Sequence, residues 1–208
     1  QWLDSDGDGY GDNPIGNDPD SCPSEEGYSY WDRMGCSDAD EDGYSDPTSQ
    51  WTINDGADAF PIQDTQWKDS DLDGYGDNPQ PAYNADSCPT IFGTSTEDQF
   101  GCLDSDSDGW SNYGDTFQDD PTQWSDVDSD GYGDNPQPAK TPDDCPKTWG
   151  NSTITFLGCP DLDGDGWPDM LDSNPDNNLL WSDSDGDGFA DQTGTELSDD
   201  CPEIYGIS

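Results

Sequence analysis

The stretch "DSDGDGYGD", residues 4–12, sets three carboxylates on alternate residues, then a glycine, an aromatic residue and a fourth carboxylate. Like charges that close repel one another, yet the pattern D-x-D-x-D-G-x-x-[D/N] occurs seven times. Four copies follow a tryptophan: Asp4/Asp6/Asp8/Asp12, Asp69/Asp71/Asp73/Asp77, Asp126/Asp128/Asp130/Asp134 and Asp183/Asp185/Asp187/Asp191. We call these first-type loops. Three second-type loops follow a Gly-Cys step: Asp38/Asp40/Asp42/Asp46, Asp104/Asp106/Asp108/Asn112 and Asp161/Asp163/Asp165/Asp169. Position 6 is always glycine, and position 7 is always aromatic: Tyr10, Tyr44, Tyr75, Trp110, Tyr132, Trp167 and Phe189.

The spacing has a chemical reason. A chain curled around a hard cation can point residues 1, 3 and 5 inward, turn sharply at a glycine and offer the carbonyl of residue 7, with residue 9 reaching the ion directly or through water. The aromatic residue at position 7 then supplies a carbonyl ligand, and its ring is free to anchor the loop by packing. Calcium, with 6–8 oxygen ligands, fits such a set. Zinc would call for His or thiolate, and magnesium prefers to keep its water. A merely solvated acidic run would not hold glycine in one register seven times.

A closing carboxylate is expected beyond each loop. Asp115 and Asp172 stand at position 12 of two second-type loops. In the remaining one an insertion displaces the step, and Asp58, three residues after Asp55, takes it over. First-type loops have Ile15, Gln80, Gln137 or Gly194 at position 12. Their carboxylate arrives later, just before a cysteine, as Asp20, Asp86, Asp143 or Asp199. That would pin the "DSCP" or "DDCP" step against the loop. No helical sequence flanks the loops, so they are not EF-hands.

Composition agrees that something other than a hydrophobic core holds the chain. Its 208 residues include 50 acids, 4 bases and no histidine, for a formal charge of −46, and only 23 are Leu, Ile, Val or Phe. So little apolar surface does not offset the entropy of ordering a backbone. Nine Trp, nine Tyr and seven regularly placed Cys argue against plain disorder. Metal ions and disulfides are the remaining staples. Seven divalent ions would bring −46 to −32, so we expect seven ions or more, some sharing aspartates. The acidity excludes nucleic acid as a partner and disfavours anionic membranes. No stretch approaches 18 apolar residues, so nothing in this segment is expected to enter a bilayer. Without histidine, Ser/His and Cys/His catalytic pairs are ruled out, and no substrate cleft is apparent, so we expect no enzyme.

Self-comparison divides the chain into repeats 1–65, 66–122 and 123–179 and a partial fourth, 180–208. The first carries an insertion, "PTSQWTIND" (47–55). Trp2, Trp67, Trp124 and Trp181 open the units; we read them as packing between neighbours rather than as sugar platforms. Between the loops of each unit lies a short lobe from "CP" to Gly-Cys, with a recurrent Gly and Ser (Gly27/Ser29, Gly93/Ser95, Gly150/Ser152, Gly206/Ser208). Cys22–Cys36, Cys88–Cys102 and Cys145–Cys159 each stand 14 apart, and this constant interval points to one local disulfide per lobe. Such bridges imply an oxidising, extracellular setting. Cys201 is left over; we expect either a window from a longer array or a subunit bonded to a neighbouring chain. "NST" makes Asn151 a candidate glycosylation site. Turn formers dominate, so the expected fold is an irregular, loop-rich, elongated tandem array with little regular helix or strand, "STITFLG" (152–158) being the one candidate strand.

The D-x-D-x-D-G-x-x-D-x-x-D pattern joined to "D-x-C-P" resembles thrombospondin type 3 repeats over the whole chain. The resemblance implies that the aspartates named above are calcium ligands, that sites share carboxylates, and that the chain wraps its ions with little regular structure. The cysteine spacing differs, so that family's disulfide pattern does not transfer. "GDNP", "GTS" and "TQW" are also similar to repeats of microbial extracellular surface proteins. A calcium-rigidified stalk or fibre, associating with itself or with neighbouring repeats, is the first expectation. A calcium-dependent adhesin that binds a glycan or protein, or an accessory segment of a secreted enzyme, are the alternatives.

Overall fold

The computed structural model describes residues 3–206, so Trp2 and Ser208 lie outside the described residues. The chain forms two compact units, Gln1–Asn112 and Tyr113–Ser208. Among the described residues the regular structure is one turn of 3-10 helix, Ile53–Asp55, inside the insertion. The rest is turns, bends and isolated bridges, as the abundance of Gly, Pro, Asn, Asp and Ser dictates. The fold class is therefore the irregular, disulfide-stapled one expected. The candidate strand is not formed. Residues 152–158 make a tight turn, with Phe156 at φ 46°: the Ser152 hydroxyl bonds back to the Phe156 carbonyl, and the Thr153 and Ile154 amides both donate to the Gly166 carbonyl, which is not the alternating pattern of a strand.

All three lobes are built alike. Disulfides join Cys22–Cys36, Cys88–Cys102 and Cys145–Cys159, with Cα–Cα separations of 5.1, 5.1 and 5.0 Å. A Cβ on Gly27, Gly93 or Gly150 would lie 2.0–2.1 Å from the carbonyl carbon of the second cysteine, so only glycine lets the strands of the lobe meet. Two residues on, Ser29, Ser95 and Ser152 are fully buried. Each hydroxyl donates to a carbonyl four residues later (Arg33, Gln99, Phe156) and accepts the amide of Cys36, Cys102 or Cys159. The serine backbone pairs across the lobe as well, its amide donating to the carbonyl of Cys36, Cys102 or Cys159, so the hydroxyl adds two directed bonds to that pairing.

Polar side chains also do the work of a core elsewhere. Gln66 and Gln123 are fully buried; each amide bonds both the N–H and the carbonyl of Asn78 or Asn135. In the last repeat Leu180 stands at that position and is fully buried. The hydrogen bonds there come from the other side, as the Gln192 amide oxygen accepts from Trp181 and Ser182. A parallel exchange links Asp32 with Ser45 and Asp98 with Ser111, whose N–H and hydroxyl both bond the carboxylate. The third repeat has Thr155 and Pro168 there, and a proline has no N–H to satisfy.

Candidate metal centres

Every acidic loop is shaped by its own backbone amides. The position-1 carboxylate accepts the amides of positions 4 and 6, as Asp38 does from Glu41 (2.8 Å) and Gly43 (3.0 Å). The same pair recurs on Asp4, Asp69, Asp104, Asp126, Asp161 and Asp183. To present both amides the chain takes positive φ at both positions. Position 6 is glycine, at φ 94–102°. Position 4 is left-handed too, at Gly7, Glu41, Leu72, Ser107, Ser129, Gly164 and Gly186. Sequence reading missed this second left-handed residue; glycine at position 4 in three of the seven loops was its only signal.

At position 5 the carboxylate accepts the amide of the aromatic residue at position 7, giving Asp8–Tyr10, Asp42–Tyr44, Asp73–Tyr75, Asp108–Trp110, Asp130–Tyr132, Asp165–Trp167 and Asp187–Phe189 at 2.8–2.9 Å. Two position-7 rings pack as anchors. Tyr44 stacks on Trp67 at 5.0 Å between centroids, and Tyr75 on Phe100 at 5.8 Å. Position 9 serves the loop itself. Asp12 bonds the amide and hydroxyl of Ser5, Asp77 those of Ser70 and Asp191 those of Ser184; Asp46, Asn112, Asp134 and Asp169 also accept the position-2 amide.

With these constraints, positions 1, 3 and 5 converge. Asp4/Asp6/Asp8, Asp38/Asp40/Asp42, Asp69/Asp71/Asp73, Asp104/Asp106/Asp108 and Asp126/Asp128/Asp130 each bring one oxygen apiece within 4.8 Å of one another, and two further groups do the same. At an effective dielectric near 20, two charges that close repel by roughly 3 kcal/mol.

The closing aspartates complete the picture. In first-type loops one parallel bridge per loop (Gly11–Pro19, Gly76–Ala85, Gly133–Pro142, Ala190–Ser198) sets the following aspartate against it. The amides of Asp20, Asp86, Asp143 and Asp199 donate to Gly11, Gly76, Gly133 and Ala190. In the first second-type loop the Asp58 amide donates to Ser45 at 2.9 Å, so the insertion leaves the closing step intact. All seven closing positions, Asp20, Asp58, Asp86, Asp115, Asp143, Asp172 and Asp199, are buried. In each, Oδ1 accepts the amide two residues on. On Asp20, Asp58, Asp86 and Asp143, Oδ2 is buried with no hydrogen-bond partner among the described residues.

A buried carboxylate oxygen without a partner is costly unless a cation meets it. Titration behaviour expresses the same strain. Burial, and then Asp42, Asp40 and Asp46 nearby, push Asp58 up to about 7. Burial and neighbouring acids push Asp42, Asp86 and Asp143 up to about 6. Position 9 behaves differently: hydrogen bonds from Ser182 and Ser184 hold Asp191 below the ordinary carboxylate range. The residues therefore fit a metal. Several aspartate triplets, backed by buried unpartnered oxygens, can hold a cation, and their all-oxygen donor set belongs to hard cations.

Asn151 is exposed, its lobe beside it, and Cys201 is an exposed free thiol. Among the described residues no helix is long and apolar enough to cross a membrane. Fold and sites together define the class: an acid-rich, disulfide-stapled loop protein built around carboxylate cages. No protein-family model and no curated protein matches the chain.

Proposed function

We propose that this chain is a calcium-binding repeat segment of the thrombospondin type 3 kind, stiffening an extracellular stalk, surface protein or fibre. The observation that carries this reading is the burial of all seven closing aspartates, four of them with a buried oxygen that has no hydrogen-bond partner among the described residues. Calcium suits the sites because each offers several carboxylates on an adaptable loop, where magnesium would demand near-octahedral geometry and retained water. Three disulfides support an oxidising location.

The loops also reach forward, which is how ion binding would spread stiffness. Asp6 and Asp8 accept the amides of Glu25 and Gly27 in the lobe, Asp73 that of Gly93, Asp130 that of Gly150 and Asp187 that of Gly206. In a second-type loop Asp40 accepts the amide of Gln63. A cage that falls open therefore releases a segment about 20 residues on, not just itself.

Calorimetric calcium titration combined with small-angle X-ray scattering tests the reading. We expect binding of at least seven ions, with compaction and loss of segmental motion, and reversal by chelator. An unchanged scattering profile and intact near-UV circular dichroism after thorough chelation would overturn it.

A further inference from the structure

The chain contains a single arginine, and among the described residues it makes no ion pair. The two salt bridges join Lys68 to Asp77 and Lys140 to Asp120. In a chain with 50 acids this isolation is unexpected. Arg33 instead lies over the ring of Trp51, 5.5 Å from its centroid. Trp51 comes from the insertion, and its indole N–H donates to Asp32 at 3.3 Å. The guanidinium uses only Nη2, donating to the Ser21 carbonyl (3.4 Å) and the Cys22 sulfur (3.5 Å). Its Nε and Nη1 make no hydrogen bond among the described residues.

Arg33 and Trp51 form part of the wall of a cavity of about 550 Å³ between the insertion and the first lobe. Ser21, Ser24, Thr48, Ser49 and Gln50 also line it. Among the described residues the hydroxyls of Ser21, Ser24 and Ser49 make no hydrogen bond, while the Thr48 hydroxyl accepts from Gln50 and Trp51 and keeps its own proton to donate. The volume lies within the range of small-ligand sites, roughly 300–1,000 Å³. It exceeds what one carboxylate side chain would fill.

We propose that this cavity binds a carboxylated saccharide of the uronic acid type. The carboxylate meets the free guanidinium donors, which are shaped for bidentate contact. The sugar hydroxyls meet the serine and threonine hydroxyls and the Gln50 amide, and Trp51 on the wall supplies an apolar surface for the C–H groups of a pyranose ring. Glu25, also on the wall, accepts from a sugar hydroxyl and disfavours a ligand with several negative charges. The same argument weighs against a second copy of this chain, whose charge of −46 would bring strong like-charge repulsion. The site occurs once, since the sister lobes carry Gln99 and Phe156 at the position of Arg33 and lack the insertion. The inference does not rest on the metal reading.

The test uses the full chain in excess calcium, titrated with methyl β-D-glucuronide and, separately, methyl β-D-glucoside, while the Trp indole N–H resonances are followed by NMR. The glucuronide should shift one indole resonance and saturate, and the glucoside should not. Arg33→Gln should weaken binding at least about tenfold, which is about 1.4 kcal/mol. Arg33→Lys should retain part of it, and Lys147→Gln should change nothing. Equal response to the two sugars, or undiminished binding in Arg33→Gln, would overturn the proposal. So would a response only to a peptide of sequence DSDGDGYGD, which would mark a contact between copies. The sugar comparison on the native chain decides the matter even if a variant fails to fold.

Discussion

Replacing Asp58 by Asn should stabilise or destabilise the chain according to whether cation is present. Asp58 is 1% exposed; Oδ1 accepts the Phe60 amide at 2.7 Å, and Oδ2 has no partner. Asparagine keeps the first bond and removes the charge. With chelator present at pH 8, the native carboxylate is ionised against an environment that pushes it from 3.8 to about 7. At about 1.4 kcal/mol per tenfold change in proton affinity, that environment disfavours the charge by on the order of 4 kcal/mol, and by about 2 after allowance for solvent screening. The Asn variant should therefore be the more stable by about 2 kcal/mol without cation. With calcium at 100 times its dissociation constant, an intact site contributes about 2.7 kcal/mol. The variant forfeits most of this and should then be the less stable. Thermal unfolding followed by tryptophan fluorescence across a calcium series should show the two melting temperatures crossing, with the variant about 4–8 °C higher without cation and about 1–3 °C lower in calcium. A constant difference at every calcium concentration would refute the argument, because Asp58 would then act only through its bond to Phe60.

Stability should also depend on pH with opposite sign in the two states. The raised values of Asp58, Asp42, Asp86 and Asp143 mean that, without cation, these groups favour folding fully below about pH 4 and lose that contribution as pH rises through 6 to 7; melting temperatures in chelator should fall over that window. In calcium the ligands must be deprotonated, so the melting temperature should rise across the same window. Gly93→Ala should cost about 3 kcal/mol in urea unfolding, since its Cβ would lie 2.1 Å from the Cys102 carbonyl carbon. Gly74→Ala, at φ 98° with open space around it, should cost about 1 kcal/mol from backbone strain alone. Ser152→Ala should cost about 1 kcal/mol by leaving the Cys159 amide and the Phe156 carbonyl only their long 3.4 Å bond to each other, and hydrogen exchange of the Cys159 amide should accelerate accordingly.

The loops were legible because their logic is local. A carboxylate at position 1 can reach only the amides that follow it within a few residues, so spacing alone fixes the turn, and the constant interval of 14 residues fixed the disulfides in the same way. Position 4 escaped because glycine is optional there: the two amides held by Asp69 or Asp104 are enough to keep Leu72 or Ser107 left-handed. The candidate strand at 152–158 failed for a related reason, as the Ser152 hydroxyl ties the Phe156 carbonyl into a turn and the Thr153 and Ile154 amides both go to one carbonyl, that of Gly166. Least legible were the parts made by long-range exchange, such as Leu180 with Gln192 standing in for Gln66 with Asn78.

These cases point to one physical rule. Where apolar area is scarce, specificity passes to hydrogen bonds with directed partners, and each such bond must find an acceptor that is already in place. In this chain the side-chain acceptors are mostly aspartates, and a closing aspartate that holds an amide with Oδ1 has its second oxygen left to aim. In each loop the same turn brings one oxygen from each aspartate of positions 1, 3 and 5 into one small volume. The arrangement that satisfies the amides is thus the one that gathers the charges, and the fold and the candidate cation sites are consequences of a single set of bonds. It follows that a variant which frees both amides, such as Asp69→Ala, should lose the left-handed turn at Leu72 and the convergence of Asp71 with Asp73, whereas Asp69→Asn, with a single acceptor oxygen, should lose one of the two amide bonds together with the charge and show a smaller effect.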